Sequence, residues 1–174
     1  MKKITEIIVA PPILPARFVS NDYDRFMFFD FSMRTEFSIF DEIKSISGGA
    51  GGISVFYARS LRFLCLFGEH ESWSERMANV DQQLNRQGDP YGLIITSLDA
   101  SWVMAQHSPS EWGLFAFKST SPSSLSIFNS LDGEDFLSIN DFRSAIIDGE
   151  VKFHENFDRK FIEQLINNYR SKFF

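Results

Sequence analysis

Five consecutive residues, Gly48-Gly49-Ala50-Gly51-Gly52, invite a phosphate-binding reading. A loop of the Gly-x-x-x-x-Gly-Lys-Ser/Thr type needs a lysine for the phosphates and a hydroxyl for magnesium. Here Ile53-Ser54 follow the glycines, with no lysine. Dinucleotide-binding loops run from strand into helix; this one runs from a predicted helix into a predicted strand. A flexible connector is the plainer reading. Glu69-His70-Glu71 lines up three metal-ligand types, but adjacent residues rarely converge on one ion, and no second cluster accompanies them. His154-Glu155 shares that weakness. His107 lies near Ser108, Ser110 and Glu111, yet a Ser-His-acid triad is recognised by geometry, and no Gly-x-Ser-x-Gly elbow is present. Cys65, between Leu64 and Leu66, reads as a core thiol. As the one cysteine, it excludes an intramolecular disulfide and a Cys-based zinc site. These residues predict no metal, no cofactor and no catalysis.

Charge points elsewhere. The chain of 174 residues has net charge −6 and no basic run longer than Lys2-Lys3, which argues against direct nucleic-acid binding. Residues 130–158 carry eight acidic and two basic groups: Asp132, Glu134, Asp135, Asp141, Asp148, Glu150, Glu155 and Asp158 against Arg143 and Lys152. This segment reads either as a solvated face or as a docking face for a basic partner, since opposite potentials speed encounter and select partners. No apolar run approaches the roughly 20 residues that span a bilayer. The expectation is a soluble, cytoplasmic protein without membrane contact.

The elements that must position these residues follow from periodicity. One domain fits the length. Strands are predicted at 4–9, 25–33, 53–58, 61–67, 91–98, 101–107, 112–119 and 124–129. In 25–33, Met27, Phe29, Phe31 and Met33 make a wholly apolar face, which suits a strand with one buried side. Helices are predicted at 38–46, with Ser38 as N-cap and Gly48 as stop, and from a capping box at Ser72-Trp73-Ser74-Glu75 to Gly88. In the second, Trp73, Met77, Val80 and Leu84 form the buried stripe, while Arg76, Asp81, Gln82 and Gln83 face water. Two further helices run over 139–148, started by Ser138 with Asp141, and from Asp158 onward, with Phe161, Ile162, Leu165, Ile166 and Tyr169 inward. Runs of strands with grouped helices predict an α+β fold with a mainly antiparallel sheet on about four helices. The 20 phenylalanines fill its core.

The stretch Tyr91-Gly-Leu-Ile-Ile-Thr-Ser-Leu-Asp-Ala-Ser-Trp102-Val-Met-Ala-Gln-His107, continuing into Glu111-Trp112-Gly113-Leu114-Phe115-Ala116-Phe117, resembles small bacterial immunity proteins of contact-dependent inhibition and related polymorphic-toxin systems. The shared features are an acidic, aromatic-rich α+β chain, a Trp-bearing strand, a His-containing turn and a Trp-Gly strand. The resemblance implies a non-enzymatic inhibitor that binds a cognate toxin domain, often a basic nuclease, in the cytoplasm. The expected contacts are Asp132, Glu134, Asp135 and Asp141 first, then His107, Glu111 and Trp112 of the turn. Two other classes compete: a small enzyme or ligand-binding protein acting on a nucleotide or metabolite through Gly48–Gly52 and a histidine, and an accessory subunit whose phenylalanines pack in an oligomer.

Overall fold

The computed structural model describes residues 3–47, 51–131, 135–148 and 159–170. Seven strands are present: β1 (Arg25–Phe29), β2 (Ile53–Tyr57), β3 (Phe63–Phe67), β4 (Leu93–Ser97), β5 (Trp102–Ala105), β6 (Gly113–Phe117) and β7 (Leu137–Ser138). They form one sheet in the order β3-β2-β4-β5-β6-β1-β7, antiparallel throughout. Six helices accompany it among the described residues: α1 (Ile4–Ile7), α2 (Ser38–Ile46), α3 (Trp73–Arg86), α4 (Pro122–Ser130), α5 (Ile139–Asp148) and α6 (Arg159–Asn168). The fold is α+β.

The sheet is the middle of three layers. On one face Met27, Phe29, Val55, Ile95, Met104 and Phe115 pack with α2, α3 and α4. On the other, Phe26, Phe28, Ile94, Val103 and Leu114 pack with α1, the chain through Tyr23, α5 and α6. β1 is therefore buried on both sides, where its odd-numbered residues alone predicted one. Phe26 and Phe28 carry the second face, and each such ring gains about 1.5–3 kcal/mol by leaving water.

The stripe Trp73, Met77, Val80 and Leu84 is buried as its spacing predicts. Ser72 Oγ accepts from the Glu75 amide at 3.2 Å. The helix closes in a Schellman turn: the Gly88 amide donates to Asn85 O, the Asp89 amide donates to Leu84 O, and Gly88 sits at φ +66°. In α6, Ile162, Leu165 and Ile166 are buried, as is Tyr169 just after it, and the Tyr169 hydroxyl donates to Ala16 O at 2.8 Å.

Three expectations are corrected. Residues 4–9 form no sheet strand: one helical turn ends at Ile7, and Ile8 makes a single bridge to Val19, because the prolines that follow turn the chain before it can pair further. Residues 124–129 are helical. Ser121 caps α4 with Pro122 at its first position, Ser124 and Ile127 are buried, and Phe128 packs on Phe117. Asp81 is not a water-facing residue; it meets the buried Arg34 at 2.7 Å.

α2 has its predicted bounds but not its predicted cap. Phe37 holds the N-cap position without a side-chain bond, and Ser38 is already helical. The Asp41 carboxylate, one turn in, instead caps α3. It accepts from the amides of Trp73 at 2.8 Å and Ser74 at 3.3 Å, and from the hydroxyls of Ser72 and Ser74. Partial burial pulls its pKa up, but these hydrogen bonds outweigh that and hold the carboxyl below the usual carboxylate range. Asp41→Ala is expected to cost about 1–2 kcal/mol, the value of a cap that also carries charge at a helix N-terminus. Because the folded pKa is depressed, Asp41 stabilises fully above the ordinary carboxylate range and loses that contribution as pH falls through its folded pKa. Urea titrations of wild type and Asp41→Asn should therefore converge on acidification; a constant gap would refute the charge argument.

Candidate functional site

The strand registers bring distant parts of the sequence to one end of the sheet. β1 pairs with β6 through Phe29↔Gly113 and with β7 through Phe28↔Leu137. Continued one step beyond the β6 pair and two steps beyond the β7 pair, these registers set Asp30 between Trp112 on one side and Asp135 on the other. Ring contacts hold the region: Phe136 lies 6.0 Å from Phe29 and 5.5 Å from Phe31, and Phe29 stacks on Phe31 at 4.6 Å. Trp112 is half-buried against Phe142 of α5, with ring centroids 5.8 Å apart. Asp30, Glu111 and Asp135 are exposed.

Gln106 fastens this end together. It is fully buried. Its side-chain oxygen accepts from the Met33 amide at 3.0 Å, and its side-chain nitrogen donates to Phe31 O and Glu111 O, both at 2.8 Å. A single amide thus ties the loop after β1 to the turn before β6. The close approach of Gly113 to the Phe29 ring adds to it; a side chain at Gly113 would drive into that ring.

Of the predicted contact residues, Glu111, Trp112 and Asp135 come together here. Asp141 lies in the first turn of α5, exposed, and its carboxylate accepts from the Ser138 amide at 2.6 Å and the Ser138 hydroxyl at 2.7 Å. It forms a capping box at the predicted helix start, with the Asp141 amide donating back to Ser138 Oγ at 3.3 Å. Asp132 and Glu134 lie outside the described residues, as do Gly48–Ala50, Glu150, Lys152, His154, Glu155 and Asp158. His107 is drawn away from the acidic side, its ring 6.1 Å from Tyr91. His107 Nδ1 is buried without a hydrogen-bond partner, while Ser108 and Ser110 bond to each other. That is not a triad geometry.

The same end of the sheet is electrically divided. Beyond His107, Arg59 sits 4.7 Å over the Tyr91 ring and Arg62 sits 5.5 Å over Tyr57. Together with Gln87 and Asp89 they line an open recess of about 550 Å³. Asp30 and Asp135 lie toward the opposite edge. Asp30 and Gln106 are the residues of this candidate site that sequence reasoning missed. Asp30 is the lone charge that interrupts Phe28-Phe29-Asp30-Phe31, and Gln106 is the one amide between an apolar strand and the His107 turn.

The other chemical candidates separate. Gly51 and Gly52 precede β2 at the far end of the sheet from His107. Gly52 abuts the Phe67 carbonyl too closely for any side chain. His70 is exposed, 3.2 Å from Glu69. Among the described residues no three His, Cys, Asp or Glu side chains converge as metal ligands, and no helix is long and apolar enough to cross a membrane. Burial pushes the Cys65 thiol up to about 11, which suits packing against the α2–α3 core rather than nucleophilic chemistry. Comparisons of the chain with protein-family models, with curated proteins and with solved structures return no match.

Proposed function

We propose that the chain is an immunity protein: it binds a cognate toxin domain stoichiometrically and neutralises it by covering its active site or substrate path. The reading rests most on one observation, the juxtaposition of Trp112, Asp30, Asp135 and Glu111 at one end of the sheet. An aromatic side chain half-buried among exposed carboxylates is the composition of a protein-binding hot spot for a basic surface. A nuclease, which must attract phosphate, presents such a surface, and the net charge of −6 adds long-range attraction. Such an inhibitor needs neither metal nor cofactor, and it would act in the cytoplasm.

The test is capture of the partner from the native host at moderate salt, followed by the triple reversal Asp30→Lys, Glu111→Lys and Asp135→Lys. A basic partner carrying a toxin-like domain should bind wild type in a fixed ratio. The triple variant should bind about 100-fold more weakly and with a flatter salt dependence, as expected when steering charges are inverted. Equal affinity of both proteins at two salt concentrations would remove this face from the reading. If only a nucleotide or metabolite raised the melting temperature, the small-ligand reading would take its place.

A further inference from the structure

β3 is an outer strand of the sheet, and among the described residues no strand pairs with its free side. An edge strand presents unpaired backbone donors and acceptors; proteins blunt such edges with bulges or very short strands, and commonly with residues such as proline or lysine. Phe63-Leu64-Cys65-Leu66-Phe67 contains neither. It does contain a bulge: Val55 pairs with Cys65 and Phe56 with Phe63, so Leu64 is the extra residue. The bulge turns both Leu64 and Cys65 toward the α2–α3 core. It leaves Phe63 and Leu66 together on the opposite face, 56% and 49% exposed. Phe63 is held there edge-on to Phe56, with centroids 5.8 Å apart.

We propose that β3 pairs antiparallel with β3 of a second copy of this chain about a two-fold axis, extending the sheet across two molecules. The pattern of the strand is complementary to itself. In the register that sets Phe63 opposite Leu66 of the second copy, Leu64 falls opposite Cys65, so exposed meets exposed and half-buried meets half-buried on matching faces. The flanking charges follow the same symmetry. In that register Arg62, just before the strand, falls opposite Phe67 of the second copy and diagonal to Glu69, a spacing its long side chain can reach, and this pairing occurs twice. Although the whole chain is acidic, the segment 59–76 that carries β3 is balanced: Arg59, Arg62 and Arg76 against Glu69, Glu71 and Glu75. The interface is small, so the dimer is weak and concentration-dependent. It lies at the opposite edge of the sheet from Asp30 and Asp135 and stands independently of the toxin-binding proposal.

Sedimentation equilibrium of the full chain across a concentration series tests it. Wild type should shift from 20.0 kDa toward twice that mass. Leu66→Lys should weaken association about tenfold or more, since each change acts on two symmetric pairs. Arg62→Glu and Glu69→Arg should each be monomeric, because each sets like charges against one another twice. Their equimolar mixture should dimerise again, because the two variants together restore both opposite-charge contacts. Unchanged melting temperatures would show that these exposed substitutions leave the fold intact. A wild type that stays at 20.0 kDa up to about 500 μM, where even weak edge contacts populate, overturns the proposal. So does a dimer indifferent to Leu66→Lys, or a mixture of the two charge variants that stays monomeric.

Discussion

Arg34→Met is expected to destabilise the protein by about 3–5 kcal/mol, the range for removing one partner from a buried ionic network. Arg34 is 4% exposed. Its Nε donates to Asp81 Oδ1 at 2.7 Å, one terminal nitrogen donates to Asp89 O at 2.6 Å and Tyr91 O at 3.1 Å, and the other donates to Asn85 Oδ1 at 2.6 Å. Asn85 in turn donates to Asp81 at 2.8 Å. The guanidinium fork therefore joins the loop after β1 to α3 and to the chain entering β4. Without it a carboxylate, an amide and two carbonyls lose their donor together. For a chain of this length the loss should lower Tm by roughly 10 °C. Arg34→Lys should recover little, because an ammonium cannot supply the planar fork. Adding Asp81→Leu to Arg34→Met should recover part of the loss by removing the stranded charge. Urea unfolding measures all three; a loss under about 1 kcal/mol for Arg34→Met would show that the network is solvated.

Gln106→Leu is the second large effect. Three backbone groups, Met33 N–H, Phe31 C=O and Glu111 C=O, would lose their partner inside the protein. An unsatisfied buried group costs about 1–3 kcal/mol, and partial relaxation at a loop brings the expected total to about 2–4 kcal/mol. The change also releases Glu111 and Asp30 from their relative placement. Partner binding should then weaken more than in Asp41→Ala, a variant destabilised away from this face. Comparing the two variants at a temperature where both are fully folded separates positioning from stability. Equal affinities would reduce Gln106 to a structural residue only.

Legibility followed the range of the forces involved. α3 was readable because its cap, its stripe and its Gly88 stop are all local, and each pointed to the same helix. α5 and α6 were readable for the same reason. α4 carried an equally local signal, Ser121-Pro122 with Ser124, Ile127 and Phe128 at helical spacing. Its serines, which also suit turns, masked it. Residues 4–9 are apolar enough for a strand, but pairing needs a partner at the right place, and the prolines redirect the chain to Val19 first. Half of the candidate site was visible as types: Glu111, Trp112 and Asp135 stood out as charge and aromatic groups. Asp30 did not, because nothing local separates a strand-end aspartate that joins a site from one that meets water.

By itself the sequence determined the α+β class, the bounds of α2, the stripes of α3 and α6, and the acidic balance. All of these depend on composition or on residues a few positions apart. Only the tertiary structure decided which carboxylates meet. Asp30 lies beside Trp112 and Asp135 because two antiparallel registers set three remote segments side by side, and a register is chosen by the burial of whole strands rather than by any local pattern. It likewise decided that Asp41 caps a helix other than its own, that Arg34 and Gln106 are buried, and that β3 is left at an edge. Each of these arises where elements pack, and local residue preferences do not encode where that will be.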